Sequence, residues 1–251
     1  MKQYSQLQIG SKKYPHFIYF GQPETKQEIE STFRLRFDSY SARGYIDSAL
    51  FPDSLEKDNY DTEGKCQYFM ASLDGKKTIG TVRLIKDSML PTENDFSFDE
   101  PKEIRAIPRD KRGELGRLII IPPDKERGFY LPRGLAMIFM LDMLVQYGIN
   151  NGIAGGYVFV KTKLQKKLTK LKAPLHYIGH FKQTYPKEGV LFKYFSQPED
   201  QVIPAYFITK EFKNFTRRII HSTIMFEDLG KENYVLKTNL YTKFLQSLGI
   251  I

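Results

Sequence analysis

The chain has 251 residues, 41% hydrophobic and 27% charged, enough for one sizeable domain or one domain with an appended subdomain. No run of eighteen apolar residues occurs, which excludes a membrane-spanning helix. The opening MKQYSQLQIGSKKY has no apolar signal-peptide segment, so a cytoplasmic protein is expected. A formal net charge of +9 favours an acidic partner such as nucleic acid, anionic lipid or an acidic carrier protein, or serves solubility alone. The single cysteine, Cys66, excludes an internal disulfide framework and is read as a small buried hydrophobe.

In chain order, PETKQEIESTFRLRFDSYSAR (23–43) begins with capping-type residues. Ile29, Phe33, Phe37 and Tyr40 then recur on one helical face. A loop rich in Asp, Ser and Pro follows, to about Gly64. QYFMASL (67–73) and KTIGTVRLI (77–85) flank Asp74-Gly75 and predict a hairpin. The stretch 86–111 reads as a long irregular loop of the kind used for binding or as a lid. GELGRLIII (113–121) predicts a central strand. LAMIFMLDMLVQYG predicts a buried helix closed by Gly148, and NNGIAGGYVFV a turn and a second strand, so the three together form a strand–helix–strand crossover.

KTKLQKKLTKLK (161–172) holds six lysines and no acid. Leu164, Leu168 and Leu171 share one face beneath them, which predicts a helix with a cationic outer surface: a docking face or simply a solvated one. LHYIG and LFKYF, within 175–196, read as further strands. From about Tyr206 a helical stretch with Phe212, Phe215 and Ile219 leads to a second candidate helix at Val235–Leu248. The expected organisation is a domain over 1–200 and a helical extension over 201–251 packed on it.

Four charged features surround the hairpin and the central strand. They are Asp58 and Asp61 in SLEKDNYD, Arg83 inside an apolar strand, the pair Glu114 and Arg117, and a basic turn with Lys125, Arg127 and Arg133. In a regular strand Glu114 and Arg117 point to opposite faces, so their partners are sought elsewhere. A buried arginine costs several kcal/mol unless paired, so Arg83 requires a carboxylate. The network is either a structural lock or a site that orients a general base and binds a charged substrate group. Arg127, Gly128, Arg133 and Gly134, between a strand end and a helix N-terminus, form a candidate anion site. The pattern contains no phosphate-binding loop, dinucleotide fingerprint, zinc spacing or RNA-binding motif, so neither a metal nor nucleic acid is expected.

Taken in order, LEKDNYD (55–61), GTVRLIKDSMLPTENDF (80–96) and ELGRL (114–118) resemble the acyl-homoserine-lactone (autoinducer) synthases. They equally resemble the long-chain N-acyl amino acid synthases, both within the GCN5-related N-acyltransferase superfamily. The matching positions are Glu56, Asp58 and Asp61; Arg83; Leu90, Pro91, Thr92 and Phe96; and Glu114 with Arg117. Either Arg34 or Arg36 matches the family's early arginine. The resemblance covers roughly residues 30–180 and implies an α/β (α+β) acyltransferase fold with a mixed central sheet, splayed to admit an acyl-pantetheine arm. It implies acyl-carrier protein (through its phosphopantetheine) or acyl-CoA as donor, with no tightly bound cofactor, and a small amine or amino acid as acceptor. Segment 124–134 would hold the donor phosphate. Glu114, with Arg117, Arg83, Asp58 and Asp61, would organise the acceptor side, Glu114 taking the amine proton. The basic surface around Lys161–Lys172, Arg127 and Arg133 would suit an acidic carrier.

Three departures move the expectation from lactone synthase toward N-acyl amino acid synthase: no tryptophan, with Tyr45 and Phe51 in the loop that carries one in lactone synthases; the insertion KDS before MLPT; and a long tail. A lactone synthase using S-adenosylmethionine, and a non-catalytic acyl- or carrier-binding protein, stand as alternatives.

Overall fold

The computed structural model describes residues 1–10, 13–121 and 133–237. Strands β1 (Lys2–Gly10) and β2 (Pro15–Gln22) form an antiparallel pair, followed by helix α1 (Lys26–Ser41). Thr25 caps α1 in a reciprocal capping box with Glu28, which satisfies amide donors that the helix start leaves free. The short helix α2 (Asn59–Thr62) precedes the hairpin of β3 (Cys66–Leu73) and β4 (Lys77–Ile85). Asp74 and Gly75 both adopt positive φ at its turn (51° and 67°), as the twist of a tight hairpin demands.

Residues 86–111 are not the irregular loop expected. They hold α3 (Pro91–Asp95), β5 (Phe96–Phe98) and α4 (Lys102–Arg105). Pro91 starts α3 at a position where the missing N–H costs nothing. Next come β6 (Arg112–Ile120), α5 (Arg133–Asn150) and β7 (Gly155–Lys161), with β6 and β7 parallel: the expected crossover. Helix α5 runs two residues past Gly148, and the turn falls instead at Gly152, with φ of 72°.

The chain continues through α6 (Thr162–Lys170), β8 (Leu175–Tyr177), β9 (Phe181–Gln183) and α7 (Phe192–Phe195), then β10 (Val202–Ile208), α8 (Thr209–Ile220), β11 (Phe226–Asp228) and β12 (Asn233–Leu236). LFKYF is therefore helical where a strand was expected. Tyr206 lies on a strand, and Val235 and Leu236 do too, where a helix was expected; residues 238–248 of the second candidate helix lie outside the described residues. Among the described residues the main sheet runs β11-β12-β1-β2-β3-β4-β6-β7-β10-β8, and β5 pairs with β9 separately. The segment after residue 200 thus contributes strands as well as a helix, and β10 sits between β7 and β8.

One face of the sheet carries α5, buried from Leu135 to Val145, with α8 packed against it. The other carries α1, which packs on β4 and β6, and an aromatic cluster with Tyr40, Phe51, Phe96 and Phe195. Along β4, Val82 and Leu84 belong to the core with α5, while Arg83 between them turns to the α1 face by strand alternation. Among the described residues no helix is long and apolar enough to cross a membrane.

Phe139 of α5 is 1% exposed. It stacks on Phe20 at 5.1 Å and meets Phe226 and Tyr234 edge-on at 5.4 Å each, joining strands from both ends of the chain. Phe139→Ala is expected to destabilise the fold by about 3–5 kcal/mol, read from the denaturant midpoint.

Candidate active site

Three arginines and three carboxylates form a closed alternating ring on the α1 face. Arg36 of α1 donates from Nε to Glu56 Oε2 (2.5 Å) and from Nη2 to Asp61 Oδ2 (2.6 Å). Arg83 of β4 donates to both oxygens of Asp58 (2.7 and 2.5 Å) and lies 2.7 Å from Asp61. Arg117 of β6 closes the circuit, Nη2 donating to Glu56 Oε1 and Asp58 Oδ2 at 2.9 Å each. Every arginine bridges two carboxylates and every carboxylate receives two arginines. Arg36 and not the exposed Arg34 is the early arginine. Tyr68 adds a hydrogen bond to Asp61 at 3.0 Å.

Local structure supplies this geometry. Asp58 caps α2 and Asp61 is its reciprocal partner, which orients both carboxylates toward the arginines. Strand β6 is not regular where alternation was expected. The β4–β6 register shifts between Thr81 and Arg83, and Arg117 adopts φ of 57°, a left-handed conformation unusual outside glycine. The bulge brings Arg117 onto the same carboxylate, Asp58, that Arg83 holds.

Burial alone would raise the Glu56 carboxyl, but Arg117 and Arg36 override it and hold it at about 2. Asp61 is likewise held low, Arg36 and Arg83 outweighing its burial. Both stay ionised at any ordinary pH.

Glu114 stands outside the ring. It is 1% exposed, and its Oε2 accepts from the Thr92 amide of α3 at 2.8 Å. Burial first, then the nearby Asp95 carboxyl, push it up to about 8 against the Thr92 hydrogen bond. Asp95 is itself pushed up to about 7, by burial against the pull of Arg117. Sequence reasoning missed Asp95, because it lies in the stretch read as a loop.

Beside these carboxyls the sheet opens. Strands β6 and β7 pair from Arg112–Gly155 only as far as Leu115–Val158, although each continues, to Ile120 and Lys161. The expected splay is present, beginning just after Glu114 and its register partner Tyr157. Below the opening lie Tyr40, Tyr45, Phe159 and Tyr194, in ring contact at 5.1–6.3 Å. Lys161 does not join the cationic helix surface. It is 6% exposed, donates to the Tyr194 carbonyl and lies 4.3 Å from the centre of that ring. The other five lysines of 161–172 are exposed.

Of the expected donor-phosphate turn, Arg127 and Gly128 lie outside the described residues; Arg133 opens α5 and Gly134 is exposed. Cys66 is half-buried rather than fully so. Burial pushes its thiol up to about 12, so it is no nucleophile at neutral pH. No group of three His, Cys, Asp or Glu among the described residues is placed to hold a metal ion.

The mixed sheet opening beside a buried carboxylate–arginine ring defines an acyltransferase of the GCN5-related N-acyltransferase fold. Residues 31–159 match the family model of the N-acyl amino acid synthase FeeM, just over half of the chain, and the chain belongs to that family. Solved structures share the fold. The acyl-homoserine-lactone synthase LasI superposes with a TM-score of 0.54 at 15% identity, over 77% of this chain and 90% of that one. FeeM from uncultured soil microbes gives 0.52 at 16%, over 78% and 94%. The CoA-dependent acyl-homoserine lactone synthase BjaI, with MTA, gives 0.51 at 18%, over 77% and 82%. No curated protein sequence matches the chain.

Removing one member of the ring leaves a buried charge unpaired. Arg36→Met is expected to cost about 3–5 kcal/mol of stability, measured by chemical denaturation. Glu114 makes the opposite kind of contribution. Its folded value of about 8 lies above the ordinary 4.5, so the folded state holds a proton that the unfolded state releases. Stability from this group is complete below pH 4.5 and declines as pH rises toward 8. Glu114→Gln is expected to flatten that decline in melting curves taken across the window.

Proposed function

We propose that the protein transfers a long-chain acyl group from acyl-carrier protein or acyl-CoA to the amine of an amino acid or similar small molecule. The observation that carries this reading is the opening of β6 from β7 beyond Leu115 and Val158, immediately past Glu114. An extended pantetheine arm can lie in such a gap and pair with freed strand backbone. That would set the thioester beside Glu114, and the aromatic rings beneath would take the apolar chain. Arg127, Gly128, Arg133 and Gly134 remain the candidate holders of the donor phosphate at the start of α5.

On the acceptor side, Glu114 takes a proton from the amine and the ring keeps the surrounding geometry rigid. Arg83, Arg117, Asp58 and Asp61 act in this reading by fixing the wall of the acceptor pocket. A carboxyl near 8 is a competent base once ionised, and burial strengthens its pull on a proton. The exposed lysines 163, 166, 167, 170 and 172 on and just beyond α6 fit an acidic carrier protein, in a cytoplasmic setting. LasI and BjaI are lactone synthases, BjaI a CoA-dependent one, so both donor types belong in the test.

The protein is incubated with acyl-carrier protein or acyl-CoA of graded chain length and the twenty amino acids, and acyl-amides are sought by mass spectrometry. Amide formation with a long-chain donor is expected; absence with every pair would overturn the reading. S-adenosylmethionine as sole productive acceptor would point to a lactone synthase instead. Glu114→Gln is expected to lower kcat about 100-fold or more with little change in donor affinity.

A further inference from the structure

The ring is electrically complete. Three arginines meet three carboxylates, each charge engaged twice. The ring's arginines are shared out among its own carboxylates, and Arg83 and Arg117 act on Glu114 and Asp95 only as nearby charges. Both carboxyls attach to one short helix: Glu114 accepts from Thr92, and Asp95 follows Thr92 by three residues, about one turn further along the same face. The Asp95 backbone is pinned, its carbonyl accepting from the Thr184 amide at 2.8 Å. Its neighbour Asn94 is held by Tyr60 at 2.9 Å and by Thr184 at 3.1 Å. The Asp95 side chain, half-buried, makes no hydrogen bond or ion pair among the described residues.

A half-buried carboxyl with no ion pair among the described residues, on the same short helix that holds Glu114, is a vacancy for a cation, and the reaction brings one. An acceptor amine arrives at neutral pH as an ammonium group. It must lose two protons to become an amide nitrogen. We propose that Asp95 receives the acceptor's ammonium and takes its first proton, while Glu114 takes the second. This rests on the reading that the acceptor enters beside Glu114.

The steps balance. The ammonium gives one proton to Asp95 and becomes a neutral amine. The nitrogen lone pair then forms the C–N bond at the thioester carbonyl, and the C–S bond breaks as the tetrahedral adduct collapses. Glu114, in its ionised form, removes the remaining surplus proton from nitrogen and passes it to the departing thiolate, so that it ends the cycle ionised as it began. Asp95 returns its proton to water, leaving amide, thiol and one released proton.

The test compares two acceptors in wild type and in Asp95→Asn. One is the amino acid that the preceding assay finds most productive. The other is hydroxylamine, which arrives uncharged at neutral pH and needs no ammonium seat; its rate is corrected for the uncatalysed reaction. With the amino acid, kcat/KM is expected to fall about 100-fold, and with hydroxylamine by less than about 3-fold. Equal losses with both acceptors would make Asp95 a structural residue and overturn the proposal, as would no loss with either. If Asp95→Asn melts below the assay temperature, Asp95→Glu must show the same amine-selective loss. Wild type inactive toward every amino acid would refute the function itself before any variant is compared. Activity in wild type without selectivity in the variant refutes only the role of Asp95.

Discussion

Six charges in a closed ring, all buried but the half-buried Asp58, set the terms for the rest of this protein. Taken out of water singly, each would cost several kcal/mol, and together they are tolerable only because no charge lacks two opposite neighbours. That condition ties α1, the segment leading into β3, and strands β4 and β6 to one another, since losing any one member leaves a buried charge unpaired. It also explains the left-handed backbone at Arg117. A regular strand would have sent that side chain to the other face, and the stability of the ring compensates for a conformation that costs about 1–3 kcal/mol.

The ring is neutral as a whole, which bears on the chemistry around it. Its own charges cancel, so it does little to stabilise the ionised form of Glu114, and burial outweighs the pull of Arg83 on that carboxyl. Cationic residues that contribute to the net charge of +9 lie elsewhere, five of them at the exposed positions on and after α6, so the surface charge and the ring are made of separate groups.

Much of this was legible in the sequence where local signals agree. The capping residues of α1, the Asp74-Gly75 turn and the β6–α5–β7 crossover all announce themselves through spacing and turn chemistry. Short aromatic stretches do not: LFKYF reads equally as strand or helix, and its packing under Tyr185 and Phe159 decides for a helix. The choice between Arg34 and Arg36 was decidable. Arg36 lies three after Phe33 and four before Tyr40, on the buried face, whereas Arg34 falls off it. Lys161 was counted with the lysines that follow, yet it ends a strand, and its side chain follows the strand's facing rather than the helix's. Asp95 had no signal of its own beyond its distance from Thr92 on a helix that Pro91 begins. The splay of β6 from β7 could be expected only by resemblance, since nothing in either strand's composition marks where pairing stops.

The order of the strands has a consequence for how the protein comes into being. β1 is hydrogen-bonded to β2 on one side and to β12, at residues 233–235, on the other. The aromatic contacts of Phe139 bring the same late strands onto the central helix. During synthesis the ring and the hairpin can assemble early, but one side of β1 stays unpaired until more than 220 further residues have emerged. An exposed strand edge of that duration invites pairing with other chains, so the nascent protein needs shielding at its beginning long after its catalytic half has taken shape.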